Sequence, residues 1–423
     1  MLAVIEGLTH SDLATGRQER RAPRSERALD ATAFCLADVA DGLGPFLVIY
    51  LTSRRHWTSG EAGFAMSAML LGTVLSQSFV GAWIDRTHAK RAAIFVGALL
   101  VAASTIAMYY LPTLEMIYAL QFCTGAVVAV FPPAIAALSL GIVGRARFSV
   151  RAGRNEACFH SGNVVSAGFA AVLASRFDSA GVFYGVAFMA VASAVGVLFI
   201  RDADVDHDLA RGADAADDQS HVSSPKVLLY DRRIVLYAAS VVLFHFANAA
   251  MLPLLGQKLA ESRPDSAQSL MAACIIVAQI AMVPIAVWAG RKANQGRRRV
   301  MLLGFAILPL RGVLYTLTDD PACLIAIQIL DGVGAGIFGV VSVLIIADLT
   351  QGTGRFNLVL GVVATAVGIG AALSNILTGL IVDAAGYGAG FLFLSFVAST
   401  AFIALYYGFQ ESLLKPENCF TSV

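Results

Sequence analysis

Three pairs of polar side chains interrupt long apolar stretches at a spacing of three residues: Asp38 with Asp41, His245 with Asn248, and Gln328 with Asp331. In a helix that spacing places both members of a pair on one face. Two carboxylates held this close do not ionise together readily, so the first pair suits the uptake and release of a proton. His245 titrates near neutrality and would carry a proton or respond to the charge of the aspartates. A lone histidine on an apolar helix is more often a packing residue, and its companion Asn248 is what raises it to a candidate. Gln121, His160 and Asn163 punctuate other apolar stretches in the same way. An ionisable group at bilayer depth costs about 2.5–3.5 kcal/mol on insertion scales, so these residues together are the candidates for binding a solute or a proton.

The elements that must position them are helices long enough to cross a bilayer. The chain has 423 residues, 57% hydrophobic and 14% charged, with a mean hydropathy of +0.72. A hydrocarbon core of about 30 Å needs roughly 20 apolar residues per helix. Twelve stretches meet this, near 32–51, 61–84, 92–111, 115–143, 157–176, 181–200, 234–256, 267–289, 300–317, 321–347, 357–382 and 388–408. They are numbered spans 1 to 12. With the N-terminus inside, 24 of the 30 lysines and arginines fall on inner segments and five on outer loops, which predicts cytoplasmic termini. The fold class expected is an all-α membrane protein of twelve transmembrane helices in two pseudo-symmetric six-helix bundles. The organisation expected is a disordered cytoplasmic leader over 1–29, bundles over 30–200 and 232–410, an aspartate-rich cytoplasmic linker over 201–231, and a cytoplasmic tail over 411–423.

The halves can be overlaid. Trp83 and Arg86 precede Trp288 and Arg291 by 205 residues, as Asp178 to Gly181 precede Asp383 to Gly386; in between, Gln121, Gly125 and Phe131 pair with Gln328, Gly332 and Phe338 at 207. The turn after span 2 reads Gly81-Ala-Trp-Ile-Asp85-Arg86-Thr-His-Ala-Lys90-Arg91, and a degraded copy follows span 8. On these residues the chain resembles the major facilitator superfamily over essentially its whole spanning length. It departs where that pattern has a later glycine, holding His88 and Ala89 there. Parallel six-helix repeats around a central cavity are how that class is built.

The resemblance implies that spans 1, 4, 7 and 10 line the cavity, and that Asp85 caps a helix and pairs with a basic residue near span 11 to latch the halves. Gly81, Asp85, Arg86, Arg91, Asp348 and Arg355 are the gating candidates, with Arg145, Arg147 and Arg151 as further partners for Asp85. Arg154 and Glu156 are expected to form a surface ion pair. Arg311, in a span that is peripheral in this family, is assigned a structural or snorkelling role. A cavity with three aspartates, a histidine and no arginine favours protons and cationic or neutral solutes, since carboxylate and phosphate carriers need arginine.

The expected activity is therefore secondary active transport by alternating access, as proton-coupled efflux of a cationic or neutral compound. The alternatives are a carrier of a polar metabolite or metal chelator, and a membrane sensor without turnover. The partners are a small-molecule substrate, protons and the lipid bilayer of a bacterial inner (plasma) membrane, with the protein a monomer. Nucleic acid, cofactors, metals and enzymatic chemistry are not expected. The glycine run from Gly332 to Gly339 is no nucleotide loop, because no strand precedes it. The six cysteines include no close pair and read as small apolar packing residues.

Overall fold

The computed structural model describes residues 10–41, 43, 46–47, 50–57, 59–213, 230–263 and 266–413. Among these the regular secondary structure is all helical. The helices are α1 (His10–Asp41), α2 (Ser59–Arg86), α3 (Lys90–Tyr110), α4 (Leu114–Val128), α5 (Phe131–Leu198), α6 (His207–Ala210), α7 (Arg232–Ala249), α8 (Met251–Ser262), α9 (Ala267–Lys292), α10 (Arg297–Leu317), α11 (Pro321–Leu349) and α12 (Phe356–Gly408).

Nine described stretches are long and apolar enough to cross a membrane. Two of them, Leu114–Ser166 and Phe356–Gly408, have 53 residues each. A straight helix of that length would reach about 80 Å, far beyond the hydrocarbon core, so each contains two crossings. The breaks have local causes. Span 4 is interrupted at residues 129–130, just before Pro132 and Pro133, whose nitrogens offer no hydrogen to the preceding turn. Gly144 (φ +71°) turns span 4 into span 5, and Gly386 (φ +83°) turns span 11 into span 12. Between spans 5 and 6 the chain has folded back, because a Cβ on Gly181 would lie 2.5 Å from the carbonyl oxygen of Leu173. Eight residues of straight helix would hold those sites about 12 Å apart.

The repeat is visible in the packing. Gly125 of span 4 has no room for a Cβ, which would collide with the Met69 carbonyl of span 2; a Cβ on Gly332 of span 10 would likewise lie 2.6 Å from the Ala278 carbonyl of span 8. The paired Gln121 and Gln328 are both buried, and Trp83 and Trp288 both face outward. Spans 5 and 6 pack on span 1 as spans 11 and 12 pack on span 7. Exposed Phe64, Leu70, Leu75 and Phe79 on α2, with Phe396 and Tyr407 on α12, give the exterior the apolar surface that lipid requires.

The first helix corrects one expectation. Composition assigns 1–29 to a disordered leader, but α1 starts at His10, and Ser25, Ala28 and Leu29 are buried. Two acids explain it. Glu26 receives Arg147 at 2.8 Å, and Asp30 receives Arg151 at 2.6 Å and also pairs with Arg154. The arginine-rich start of span 5 thus holds the polar end of α1. The side chains of Asp38 and Asp41 lie outside the described residues.

Candidate functional site

Two contacts close the halves against each other at the end of the molecule that carries the linker. At the first, α2 meets α12. A Cβ on Gly81 would lie 2.1 Å from the Asn357 carbonyl, and one on Gly361 would lie 2.3 Å from the Gln77 carbonyl, so both glycines permit backbone contact. Asp85 then accepts the backbone N–H of Asn357 at 3.0 Å, its side-chain amide at 2.8 Å and the backbone N–H of Leu358 at 2.8 Å. These are the unpaired first N–H groups of α12, where the helix dipole favours an anion. Arg355 is buried next to this turn and acts on the Asp85 charge. Arg86 is exposed, and Arg91 reaches Asp202 of the linker at 3.4 Å.

At the second contact, α5 meets α9. Gly153 and Gly290 face each other, and a Cβ on Gly153 would lie 2.5 Å from the Ala286 carbonyl. Ser149 donates to Asn294 alongside. Gly290 holds the repeat position of Asp85, so the second copy of the turn has exchanged its acid for a close backbone crossing.

The remaining gate candidates have these partners. Asp348 pairs with Arg297 at 3.1 Å and accepts from Ser412 at 3.0 Å within its own half, and Arg145 of the other half acts on its charge. Arg147 and Arg151 serve Glu26 and Asp30 rather than Asp85. Arg145 does cross the boundary, but to the carbonyls of Gly212 (3.1 Å) and Ala347 (3.4 Å).

Between the halves lies a cavity of about 210 Å³. Leu36, Phe131, Phe148 and Phe159 line it from one half, Val343 and Leu360 from the other. The polar groups at its wall are Asn155 and Glu156. Asn155 is already committed: it accepts from Arg151 at 2.7 Å and donates to Ser139 at 2.6 Å. Glu156 is different. Its carboxylate lies 3.6 Å from Nε2 of His160, and Nδ1 of that ring bonds Oε1 of Gln279 at 2.8 Å. Gln279 belongs to α9, so the chain Glu156–His160–Gln279 spans the two halves. With Nδ1 directed to the Gln279 oxygen, Nε2 of the ring is the atom turned toward the Glu156 carboxylate. On the far side, Gly339 of span 10 leaves room for the same carboxylate, since a Cβ there would lie 2.8 Å from Oε2.

Glu156 therefore forms no ion pair with Arg154, which turns to Asp30. Its four-residue spacing to His160 was the signal in the sequence, because that spacing puts both on one helical face. Of the two roles offered for Arg311, the structural one fits its contacts. It does not snorkel: it is buried, donating to the Tyr315 hydroxyl at 2.9 Å, to Asn248 at 2.7 Å and to Asp331. Gln328 donates to the same hydroxyl at 2.7 Å. The deep acid of span 10 is thereby neutralised inside its own bundle, and Asn248 serves Arg311 instead of His245. His245 stands edge-on to Phe338, ring centroids 4.5 Å apart. Gln121 is buried, and Asn163 is half-buried one turn beyond His160. Among the described candidates, His160 contacts a wall group of the central cavity, Glu156.

The sequence model described as Major Facilitator Superfamily matches residues 29–295 and 234–418. The chain is 47% identical over 341 residues, 80% of this chain and 82% of the relative, to proteins of Mycobacterium tuberculosis named uncharacterized MFS-type transporter Rv2456c (strain H37Rv) and MT2531 (strain CDC 1551 / Oshkosh). Among solved structures it is similar to a Major Facilitator Superfamily transporter, FucP, in the outward conformation. The TM-score is 0.70 and the identity 14%, over 92% of this chain and all of that one. A variant of the E. coli fucose:proton symporter FucP aligns with a TM-score of 0.67 and 13% identity, over 90% of this chain and 98% of that one.

Proposed function

The chain belongs to the major facilitator superfamily, and from that premise we propose that it exports a small cationic or neutral amphipathic solute from the cytoplasm in exchange for protons. It is a multi-pass membrane protein and a secondary transporter of small molecules. The finer reading rests on one observation: an apolar cavity between the halves carries one uncommitted carboxylate, Glu156, next to a histidine. An organic cation with an aromatic or aliphatic body would bury that body against Phe131, Phe148 and Phe159 and place its charge at Glu156. A proton taken up by the Glu156–His160 pair would remove the counter-charge and release it. The order of these events would make proton entry and solute exit alternate.

A polar metabolite is the weaker reading. A sugar needs several free donors and acceptors, and Asn155 is already bonded on both sides. The sidedness of the basic residues supports a cytoplasmic position for the closed, linker-bearing end.

The test uses protein reconstituted in liposomes with tetraphenylphosphonium as the probe. An imposed proton gradient should drive its counter-movement, and Glu156→Gln should abolish the dependence on the gradient while leaving the protein folded. Gradient-driven transport that survives Glu156→Gln would remove this carboxylate from the mechanism. Binding of the probe without any counterflow would favour a sensor.

A further inference from the structure

Residues 205–213, which follow span 6, are not a loose tether. They run across the closed end and touch both halves. On the first half, the backbone N–H of Asp206 donates to the Gly141 carbonyl at 3.0 Å, and Val205 and Ala210 are buried against span 4 at that glycine. Asp206 caps the short helix α6 by accepting from Asp208 and Leu209. His207 stacks on His88 of the turn after span 2, ring centroids 4.6 Å apart. Just upstream, Ser25 of α1 donates to Asp204 at 2.6 Å.

On the second half, three consecutive carbonyls of this segment are taken. Ala210 accepts the side-chain amide of Asn357 at 3.1 Å, Arg211 accepts the backbone N–H of Phe356 at 3.1 Å, and Gly212 accepts the backbone N–H of Gly352 at 2.7 Å. Arg145 completes the crossing by holding both Gly212 and Ala347. Two details show that the fit is built. Gly212 sits at φ +84°, which L side chains avoid, and a Cβ on it would lie 3.1 Å from Cβ of Phe356. Asn357 is also the residue whose amide binds Asp85, so the segment and the acid of the gate grip one side chain.

We propose that residues 205–213 form a strap that holds the linker-bearing end shut, and that this strap must leave the start of span 11 before that end can open. The backbone N–H groups of Phe356 and Gly352 lose their partners when the strap lifts. The strap therefore opposes separation at this end even after the glycine crossings have parted. Because the segment is continuous with span 6, it stays anchored to the first half and acts on the second. This role is independent of which solute is carried.

The experiment needs no substrate. In the full-length, detergent-purified protein, the amides of Gly352 and Phe356 should show slow hydrogen exchange, resolved by fragmentation. Replacing residues 206–213 with a Gly/Ser segment of equal length should raise their exchange rates by at least tenfold. Spin labels at Ala92→Cys and Lys292→Cys, in a background without the natural cysteines, report the separation of the halves at this end. That distance should lengthen in the Gly/Ser protein, and also in Gly212→Ile, whose side chain fits neither the backbone angle nor Phe356. Circular dichroism and a single monodisperse peak establish that each variant is folded. Fast exchange of both amides in the parent protein would overturn the strap outright. So would unchanged label distances in both folded variants.

Discussion

Asp85 and Asn357 meet across the boundary between the two halves, the carboxylate accepting both the backbone and the side-chain nitrogen of the asparagine. One side chain on span 2 thereby terminates the first turn of span 11, and the bond can exist only while this end is closed. Asp85→Asn replaces an anion by a neutral amide at the positive end of a helix. Hydrogen bonds to a charged group contribute about 1.5–3 kcal/mol each, and the dipole adds up to about 2 kcal/mol. The Ala92/Lys292 label distance should therefore shift toward the open form, with a lower melting temperature. An unshifted distance would mean that Asp85 only anchors topology.

The Gly153–Gly290 crossing gives a second, independent handle on the same end. Gly153→Leu inserts a side chain where even a Cβ would lie 2.5 Å from the Ala286 carbonyl. Overpacking of this kind costs about 1–3 kcal/mol, and here the closed state bears the cost. Transport should fall and the label distance should lengthen, without loss of helicity by circular dichroism. A leucine accommodated with normal transport would show that spans 5 and 8 need not touch.

Arg311, buried, and Asp331, half-buried, form a pair inside one bundle, with Asn248 and Tyr315 completing it. Removing one partner leaves an uncompensated charge, at about 3–5 kcal/mol, whereas replacing both by apolar residues is often neutral. Arg311→Met alone should sharply lower thermal stability, and Arg311→Met with Asp331→Leu should recover most of it. The double variant should still transport, since the proposed proton site is Glu156. A stable but inactive double variant would return Asp331 to the substrate site.

Gly339 leaves the space that the Glu156 carboxylate occupies. Gly339→Ala should displace the carboxylate while changing helix stability little, since alanine is the better helix former. The expected result is weaker tetraphenylphosphonium binding with an unchanged melting temperature. Equal affinity would place the cation site elsewhere in the cavity.

His207 makes the strap sensitive to acid. Burial first, then the nearby charges of Lys90 and His88, hold its pKa below the usual 6.5, against the opposing pull of Asp202 and Asp206. A released strap therefore binds a proton more readily than a docked one. Docking is fully present above about pH 6.5 and weakens as pH falls from there toward the depressed value. The label distance should lengthen between pH 7.5 and 5.5, and His207→Gln should flatten that response. Shortening on acidification would contradict the sign.

The sequence by itself determined the architecture, because that follows from apolar run length and from the sorting of arginine and lysine. Asp85 was legible too, since a lone acid in a basic turn has no topological reason to be there. What only the tertiary structure decided was pairing. Arg154 and Glu156 are two residues apart, but the helix points them to different partners, Asp30 and His160. Arg311 and Asp331 lie on different spans, and only the packing of α10 on α11 brings them together. The aspartate-rich segment reads as a linker between the halves, yet three of its backbone carbonyls bond to the second half at the closed end. Backbone hydrogen bonding leaves no trace in side-chain composition, so nothing in the letters marked residues 205–213 as part of the gate.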